Sequence, residues 1–182
     1  MGKIISISGT HCTGKTTLVE ALKKRPELQN AVFLKSSGRA LAAKNPQVKV
    51  NEDGNFYTQL YQMARDVETL LEVSNEPLVI CDRSYIDTYI YSLYLYNHGK
   101  LTSRQMAVLQ GMADAMGNLV SFDKVFLLRP SFELQNEVNR SMNKEFQTEV
   151  YNLFDEAKLM NWDYLPDNNE ERIKTIVDYV TK

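Results

Sequence analysis

The sequence is poor in cysteine and histidine and has no long apolar run, and each shortage excludes a class of protein. It has two cysteines and two histidines among 182 residues, which is too few for a disulfide framework or a histidine-based metal cluster. Cys12 and Cys81 are therefore expected to be small, buried side chains in a reducing cytoplasm. No apolar stretch approaches the length that spans a membrane, and the N-terminal apolar run is too short for a signal peptide. We expect a cytoplasmic protein without a membrane partner.

The chain also lacks a dense block of lysine or arginine. Its 21 basic and 23 acidic residues give a net charge of −2, which argues against a nucleic-acid partner, because such surfaces normally carry a basic patch. Hydrophobic residues make up 43% and charged residues 24%, as in an ordinary soluble globular protein. No linker rich in proline, glycine or serine divides the chain. Residues 1–182 are therefore expected to form a single domain.

A glycine-rich motif near the N-terminus is the most informative feature of the sequence. Residues 9–16 read Gly-Thr-His-Cys-Thr-Gly-Lys-Thr and fit the phosphate-binding pattern G-x-x-x-x-G-K-[ST] without a mismatch. A β-rich run precedes the motif and a helical pattern follows it, as a P-loop requires. We predict an ATP site, with the side chains of His11, Cys12 and Thr13 directed away from the nucleotide. The predicted binding residues are Gly9, Thr10, His11, Cys12, Thr13, Gly14, Lys15, Thr16 and Thr17.

The residue types of the motif predict its chemistry. Lys15 is expected to reach the β- and γ-phosphates, and the Thr16 hydroxyl is expected to bind Mg²⁺.

A second candidate for the site is Asp82, which ends an apolar run. Ligands of parallel sheets bind at the carboxyl ends of the strands. Asp82 is predicted to orient Mg²⁺ or to accept the proton of an attacking hydroxyl; capping of the next helix is the alternative. Arg83 is predicted to bind a phosphate, and pairing with a surface carboxylate is its alternative.

Short apolar runs alternate with longer helical patterns, which is typical of a parallel α/β sheet. We predict an α/β, three-layer P-loop NTPase fold, in which helices flank a five-stranded parallel sheet and a short helical lid covers about 130–146. Tyrosines between 85 and 96 are expected to pack inside the protein, although a homodimer through this helix is conceivable. The predicted strands are 3–8, 31–35, 77–82, 124–128 and 162–165. The predicted helices are 16–24, 56–73, 84–97, 102–117, 131–141, 145–160 and 170–180.

The segment after the third predicted strand resembles a known group of kinases. Residues 81–89 read Cys-Asp-Arg-Ser-Tyr-Ile-Asp-Thr-Tyr, similar to the Asp-Arg segment of thymidylate kinases and the acidic-Arg-Ser segment of deoxynucleoside kinases. They also resemble the Asp-Arg-x-x-x-Asp segment of small AAA-type P-loop kinases that include nicotinamide-riboside kinase domains, a resemblance that covers most of the chain. It implies an ATP-dependent kinase whose acceptor is a nucleoside or nucleoside monophosphate. The implied acceptor-binding residues are Arg39, Phe56, Tyr57, Gln59 and Arg83.

The sequence departs from those kinases at one position and leaves the identity of the lid arginine open. Ser36 or Ser37 occupies the place where those kinases carry an acidic residue, which leaves the identity of the acceptor open. Arg140 falls in the lid, where an arginine closes over the transferring phosphoryl group; a solvated helix face is the alternative. Arg129, at a strand end, competes with it for the role of lid or adenine contact.

Other functions remain as alternatives to a small-molecule kinase. One is a kinase for a hydroxyl of a polynucleotide or of a modified base in DNA or RNA, and another is a non-catalytic ATP-binding module. A GTPase is disfavoured because Phe146 stands where the guanine-binding pattern N-K-x-D requires an aspartate.

Overall fold

A computed structural model of the chain describes residues 2–35, 37, 38, 41, 48–130, 141–157 and 161–182. These residues define the bounds of five strands and six α-helices. In chain order the elements are β1 (Lys3–Ser8), α1 (Lys15–Leu22), β2 (Val32–Leu34), α2 (Phe56–Val73), β3 (Leu78–Asp82), α3 (Tyr85–Asn97), α4 (Ser103–Leu119), β4 (Lys124–Leu127), α5 (Lys144–Glu156), β5 (Trp162–Tyr164) and α6 (Asn169–Val180). The predicted helix over 131–141 lies outside the described residues.

The five strands form one parallel sheet in the order β2-β3-β1-β4-β5. The predicted fold class is confirmed, and the five predicted strands match the observed ones to within one residue at every end. β1 is the central strand and pairs with β3 on one side and β4 on the other. Ile7 of β1 pairs in register with Asp82 of β3. The loop that follows β1 and the carboxylate that ends β3 therefore lie at the same edge of the sheet.

Helices cover both faces of the sheet, and each face has its own apolar core. Alternate residues of β1 point to opposite faces: Ile4 packs in the larger core, whereas Ile5 and Ile7 pack in the smaller one. The larger core takes side chains from α2 to α5, and the smaller core takes them from α1 and α6. Because both faces are covered, β3 consists mostly of apolar residues, and the polar Ser6 and Ser8 of β1 are fully buried.

The tyrosine-rich helix α3 packs into the larger core. It contacts α2, α4 and α5, and Tyr85, Tyr91 and Tyr94 are buried. The prediction that these tyrosines pack inside the protein is confirmed for these three, whereas Tyr96 is 38% exposed. The three buried tyrosines cannot provide the homodimer contact considered for this helix, and the state of assembly stays a prediction.

Two predictions from composition can be compared with the described residues. Cys12 and Cys81 are both buried, as expected for small interior side chains. No helix within the described ranges is long and apolar enough to cross a membrane.

Candidate active site

The glycine-rich loop joins β1 to α1 and needs its glycines for its backbone shape. Gly9 has φ 131° and Gly14 has φ 84°, a region that side-chain-bearing residues rarely adopt. A Cβ atom on Gly9 would also lie 2.8 Å from the backbone oxygen of Leu128. Gly14 is the N-cap of α1, so the loop ends at the positive end of a helix dipole. This backbone suits close approach by a phosphate.

The Lys15 side chain folds back over the loop that precedes it. Its ammonium nitrogen donates to the Gly9 oxygen at 2.8 Å and to the Thr13 hydroxyl at 2.9 Å, and it also donates to the Thr10 oxygen. The side chain is only 5% exposed. A positive charge is therefore held at the centre of the loop, where the predicted phosphates would bind.

The Thr16 hydroxyl and the Asp82 carboxylate offer oxygen ligands beside this loop. The Thr16 hydroxyl oxygen is buried and has no hydrogen-bond partner among the described residues, which is unfavourable for a polar atom. Asp82 is 9% exposed at the end of β3. Hydroxyl and carboxylate oxygens are ligands that Mg²⁺ prefers, so these two residues fit the predicted metal site. Asp82 does not cap the next helix, because Ser84 is the N-cap of α3; that alternative is wrong.

Arg83 links the start of α3 to the glycine-rich loop. One guanidinium nitrogen donates to the Gly9 oxygen at 3.0 Å and to an Asp87 carboxylate oxygen at 3.1 Å, and the other donates to the Tyr91 hydroxyl at 3.3 Å. Burial opposes the charge of Arg83, but Tyr91, Asp87 and Asp82 outweigh it and raise the pKa of the guanidinium. Arg83 therefore pairs with a carboxylate, as the alternative interpretation predicted, but that carboxylate, Asp87, is buried instead of lying at the surface.

Asp87 is the interior carboxylate on which this arrangement depends. It is 2% exposed and accepts hydrogen bonds from the Ser8 hydroxyl at 2.7 Å and the Gly9 N–H at 3.3 Å. It also completes the capping box of α3 with Ser84. Burial raises the pKa of Asp87, while the charges of Arg83 and Lys15 oppose that shift. Asp87 was not among the predicted site residues, although the spacing Ser-x-x-Asp at a helix start could have indicated that its side chain caps the helix.

The residues predicted to contact the acceptor lie in different environments. Gln59 is 2% exposed and accepts a hydrogen bond from the Ser92 hydroxyl at 3.2 Å, so it bridges α2 and α3. Phe56 packs against the larger core, whereas Tyr57 is 78% exposed. Arg39 lies outside the described residues.

The arginines predicted for the lid are also separated. Arg140 and residues 131–139 lie outside the described part of the chain. Arg129 is exposed, and its guanidinium carbon lies 4.3 Å from the ring centre of Tyr164 on β5. It is therefore on the β4–β5 side of the glycine-rich loop, across β1 from Arg83.

A cavity opens between β2, α2 and β3, beside Arg83. Its cavity volume is about 10 Å³, room for a single water-sized group, and we call it the Asp66 cavity. The Asp66 carboxylate accepts a hydrogen bond from the Thr88 hydroxyl at 2.9 Å and others from the hydroxyl and N–H of Ser37. The lining residues are Leu34, Lys35, Asp66, Thr69, Leu70, Cys81, Arg83 and Ser84. Neither Asp66 nor this cavity was among the sequence predictions.

The comparisons with known proteins agree with this geometry. The sequence model of a family described as AAA domain matches residues 4–165. The chain belongs to this AAA domain family. The resemblance to AAA-type P-loop kinases is therefore confirmed at the level of the family. A comparison with the curated proteins gave no match.

Solved structures show the same fold as this AAA domain. The NadR protein in complex with NR superposes with a TM-score of 0.72 at 18% identity, over 98% of this chain and 50% of that chain. The AAA domain thus spans half the length of the NadR chain. Deoxyadenosine kinase from M. mycoides with bound dATP superposes with a TM-score of 0.74 at 16% identity, over 99% of this chain and 100% of that chain.

Two side chains distant in sequence support the loop of this AAA domain. Gln147 of α5 is 1% exposed and donates to the His11 oxygen at 2.9 Å. The neighbouring Phe146 stacks on the His11 ring, with ring centres 5.1 Å apart. Arg172 of α6 is 1% exposed and donates to the Thr13 oxygen at 3.2 Å. His11 thus packs into the protein interior; that its side chain is directed away from a nucleotide stays a prediction.

The Asp66 carboxyl gives the AAA domain a specific pH dependence of stability. Burial, with the charge of Asp87 as a smaller contribution, raises the pKa of Asp66 from 3.8 to about 6. The folded state therefore holds this proton more tightly than the unfolded state, and stability falls as pH rises from about 4 to 6. The shift corresponds to about 3 kcal/mol of unfolding free energy.

Asp66→Asn removes this titration and is expected to remove the associated loss of stability. Urea unfolding of both proteins at pH 4 and at pH 7 would measure it. The variant should gain stability relative to the parent by about 2 kcal/mol between the two pH values. An equal difference at both pH values would contradict the raised pKa. Glu68→Gln, an exposed acidic residue on the same helix, is the matched control.

Proposed function

We propose that the protein is an ATP-dependent kinase that transfers the γ-phosphoryl group of ATP to a nucleoside or a nucleoside monophosphate. The observation that carries this proposal is the placement of the P-loop directly after the central strand, beside Asp82. Ile7 lies two residues before the loop and pairs in register with Asp82. The P-loop and the carboxylate are the minimum that Mg²⁺-dependent phosphoryl transfer requires.

Lys15, Thr16 and Asp82 have different proposed roles in the transfer of the phosphoryl group. The Lys15 ammonium would exchange its bonds to the loop oxygens for bonds to the phosphates and neutralise charge in the transition state. Thr16 and Asp82 would hold Mg²⁺, which when bound stabilises negative charge on the β- and γ-phosphates. An acceptor oxygen would bond to the γ-phosphorus as the bond to the β–γ bridging oxygen breaks and ADP leaves. If the acceptor is a hydroxyl, its proton would pass to Asp82.

Three arginines and a set of acceptor contacts complete the proposed site. Arg83 would position the acceptor through its link to the P-loop, and Arg140 would close over the transferring group. Arg129, which stacks on Tyr164, competes with Arg140 or contacts the adenine. The proposed acceptor contacts are Arg39, Phe56, Tyr57 and Gln59. We assign residues 1–182 to a single domain with its lid at about 130–146, in a cytoplasmic protein.

The neighbouring folds support a nucleoside or nucleotide as the acceptor. One was solved with NR bound, and another is a deoxyadenosine kinase solved with dATP. At 18% and 16% identity, the two structures support kinase chemistry as the class of reaction. The acceptor itself has to be identified by experiment.

The test is an assay of ADP release from ATP in the presence of Mg²⁺ and single candidate acceptors. The panel contains nucleosides, nucleoside monophosphates, nicotinamide riboside and an oligonucleotide with free 5′-hydroxyls. We expect release with at least one nucleoside or monophosphate and with no oligonucleotide. Release with the oligonucleotide alone would indicate the polynucleotide kinase, and ATP binding without release for any acceptor would indicate the non-catalytic module.

A further inference from the structure

The Asp66 cavity contains a carboxylate that the reaction at the P-loop does not use. Asp66 lies on α2, and its known partners are hydrogen-bond donors without charge, the Thr88 hydroxyl and Ser37. Among the described residues, none of the ion pairs includes Asp66; the adjacent Arg83 pairs with Asp87 instead. Asp66 is partly buried, and a carboxylate withdrawn from water without a paired cation is unfavourable for the fold.

The position of the cavity connects this carboxylate to the proposed acceptor. Lys35 follows β2, and Arg83 and Ser84 follow β3, so the cavity opens at the carboxyl ends of two neighbouring strands. This is the edge of the sheet at which ligands of parallel α/β proteins bind. Arg83 lines the cavity and also donates to the Gly9 oxygen of the P-loop. A ligand group the size of a hydroxyl or an amino group that enters the cavity therefore lies next to the phosphate-binding loop.

The Asp66 carboxylate determines which groups of a ligand can bind in the cavity. An ionised carboxylate can accept about four hydrogen bonds and donate none. A ligand that presents an O–H or N–H group to Asp66 gains a charge-assisted hydrogen bond. A ligand that presents a carbonyl oxygen there places two acceptors against each other and leaves both unpaired.

We propose that Asp66 is a specificity-determining residue of the kinase, and that its carboxylate accepts a hydrogen bond from a neutral hydroxyl or amino group of the acceptor. The inference rests on the proposed function and adds the group that the acceptor must carry. The donor belongs either to the sugar, as a ribose hydroxyl, or to the base, as an exocyclic amino group. In both cases an acceptor without that donor binds more weakly.

Paired acceptors test the inference and separate the two sources of the donor. Ribonucleosides are compared with their 2′-deoxy forms, and cytidine and adenosine are compared with uridine and inosine, which carry oxygen in place of the amino group. We expect the protein to favour the donor-bearing member of at least one kind of pair by about 10- to 100-fold in kcat/KM. Asp66→Asn should reduce that preference to a few-fold and leave the affinity for Mg·ATP unchanged.

Controls distinguish a contact with the acceptor from a structural role. Glu68→Gln removes an exposed charge two residues along the same helix and should keep the parental preference. Asp66→Ser, which also removes the carboxylate, replaces the amide variant if that variant does not fold. A variant that lowers the melting temperature but keeps the parental ratio within each pair would overturn the inference.

The outcomes also separate this inference from the proposed function. If the unsubstituted protein releases no ADP with any acceptor, the kinase itself fails. If it turns over acceptors without preference within any pair, or if Asp66→Asn keeps the preference, the kinase stands and the assignment of Asp66 is wrong.

Discussion

Replacement of Lys15 by alanine is expected to lower the rate of phosphoryl transfer by about a thousandfold or more. The ammonium group is the positive charge at the centre of the P-loop, within 3 Å of the Gly9 oxygen and the Thr13 hydroxyl. In the transition state it would neutralise charge on the transferring group, and no other described cation bonds to so many atoms of the loop. The turnover number from ADP release measures the effect.

The Lys15 variant also needs evidence that its fold is intact. Circular dichroism should show the parental spectrum, because the sheet does not depend on this side chain. Lys24→Ala, which removes an exposed lysine just after α1, is the matched control and should retain full activity. Turnover close to the parental value in the Lys15 variant would exclude this residue from the mechanism and with it the P-loop interpretation.

Asp82→Asn is expected to give the second-largest loss, and its size depends on the acceptor. If the acceptor group is a hydroxyl, the variant loses both a Mg²⁺ ligand and the proton acceptor, and we expect the rate to fall by about 10²- to 10⁴-fold. If the acceptor is a phosphate, no proton has to be removed, and only weaker Mg²⁺ binding remains. Rates measured across a Mg²⁺ titration separate the two cases.

The control for Asp82 is an aspartate of another strand. Asp163 on β5 has a 59% exposed side chain and pairs with Lys124, so Asp163→Asn should leave the Mg²⁺ titration unchanged. An Asp82 variant with full activity and parental Mg²⁺ dependence would refute a catalytic role for this carboxylate.

The sequence was sufficient to predict the sheet because the strands are buried on both faces. The run at residues 77–82 is almost continuously apolar, and that pattern separates an interior strand from an amphipathic helix. The run at residues 3–8 has isoleucines at 4, 5 and 7. The P-loop was predictable for a different reason, since its glycines and Lys15 are contiguous. Asp82 could be predicted because it ends one of these apolar runs.

Contacts between distant residues could not be predicted in the same way. Asp66 lies on a helix where an aspartate is ordinarily solvated, and its burial depends on how Thr88 and Ser37 pack against it. Arg172 and Gln147 are ordinary polar residues in amphipathic helices until the fold brings them to the P-loop. Side chains of this kind depend on tertiary packing, for which a single sequence has no periodic signal.

The supports of the P-loop have a consequence for the biosynthesis of the protein. Gln147 and Arg172 reach the loop from 136 and 159 positions later in the chain. A ribosome makes these residues long after the glycine motif has been translated. The nascent N-terminal segment therefore lacks the hydrogen bonds from Gln147 and Arg172 until both residues have emerged from the ribosome.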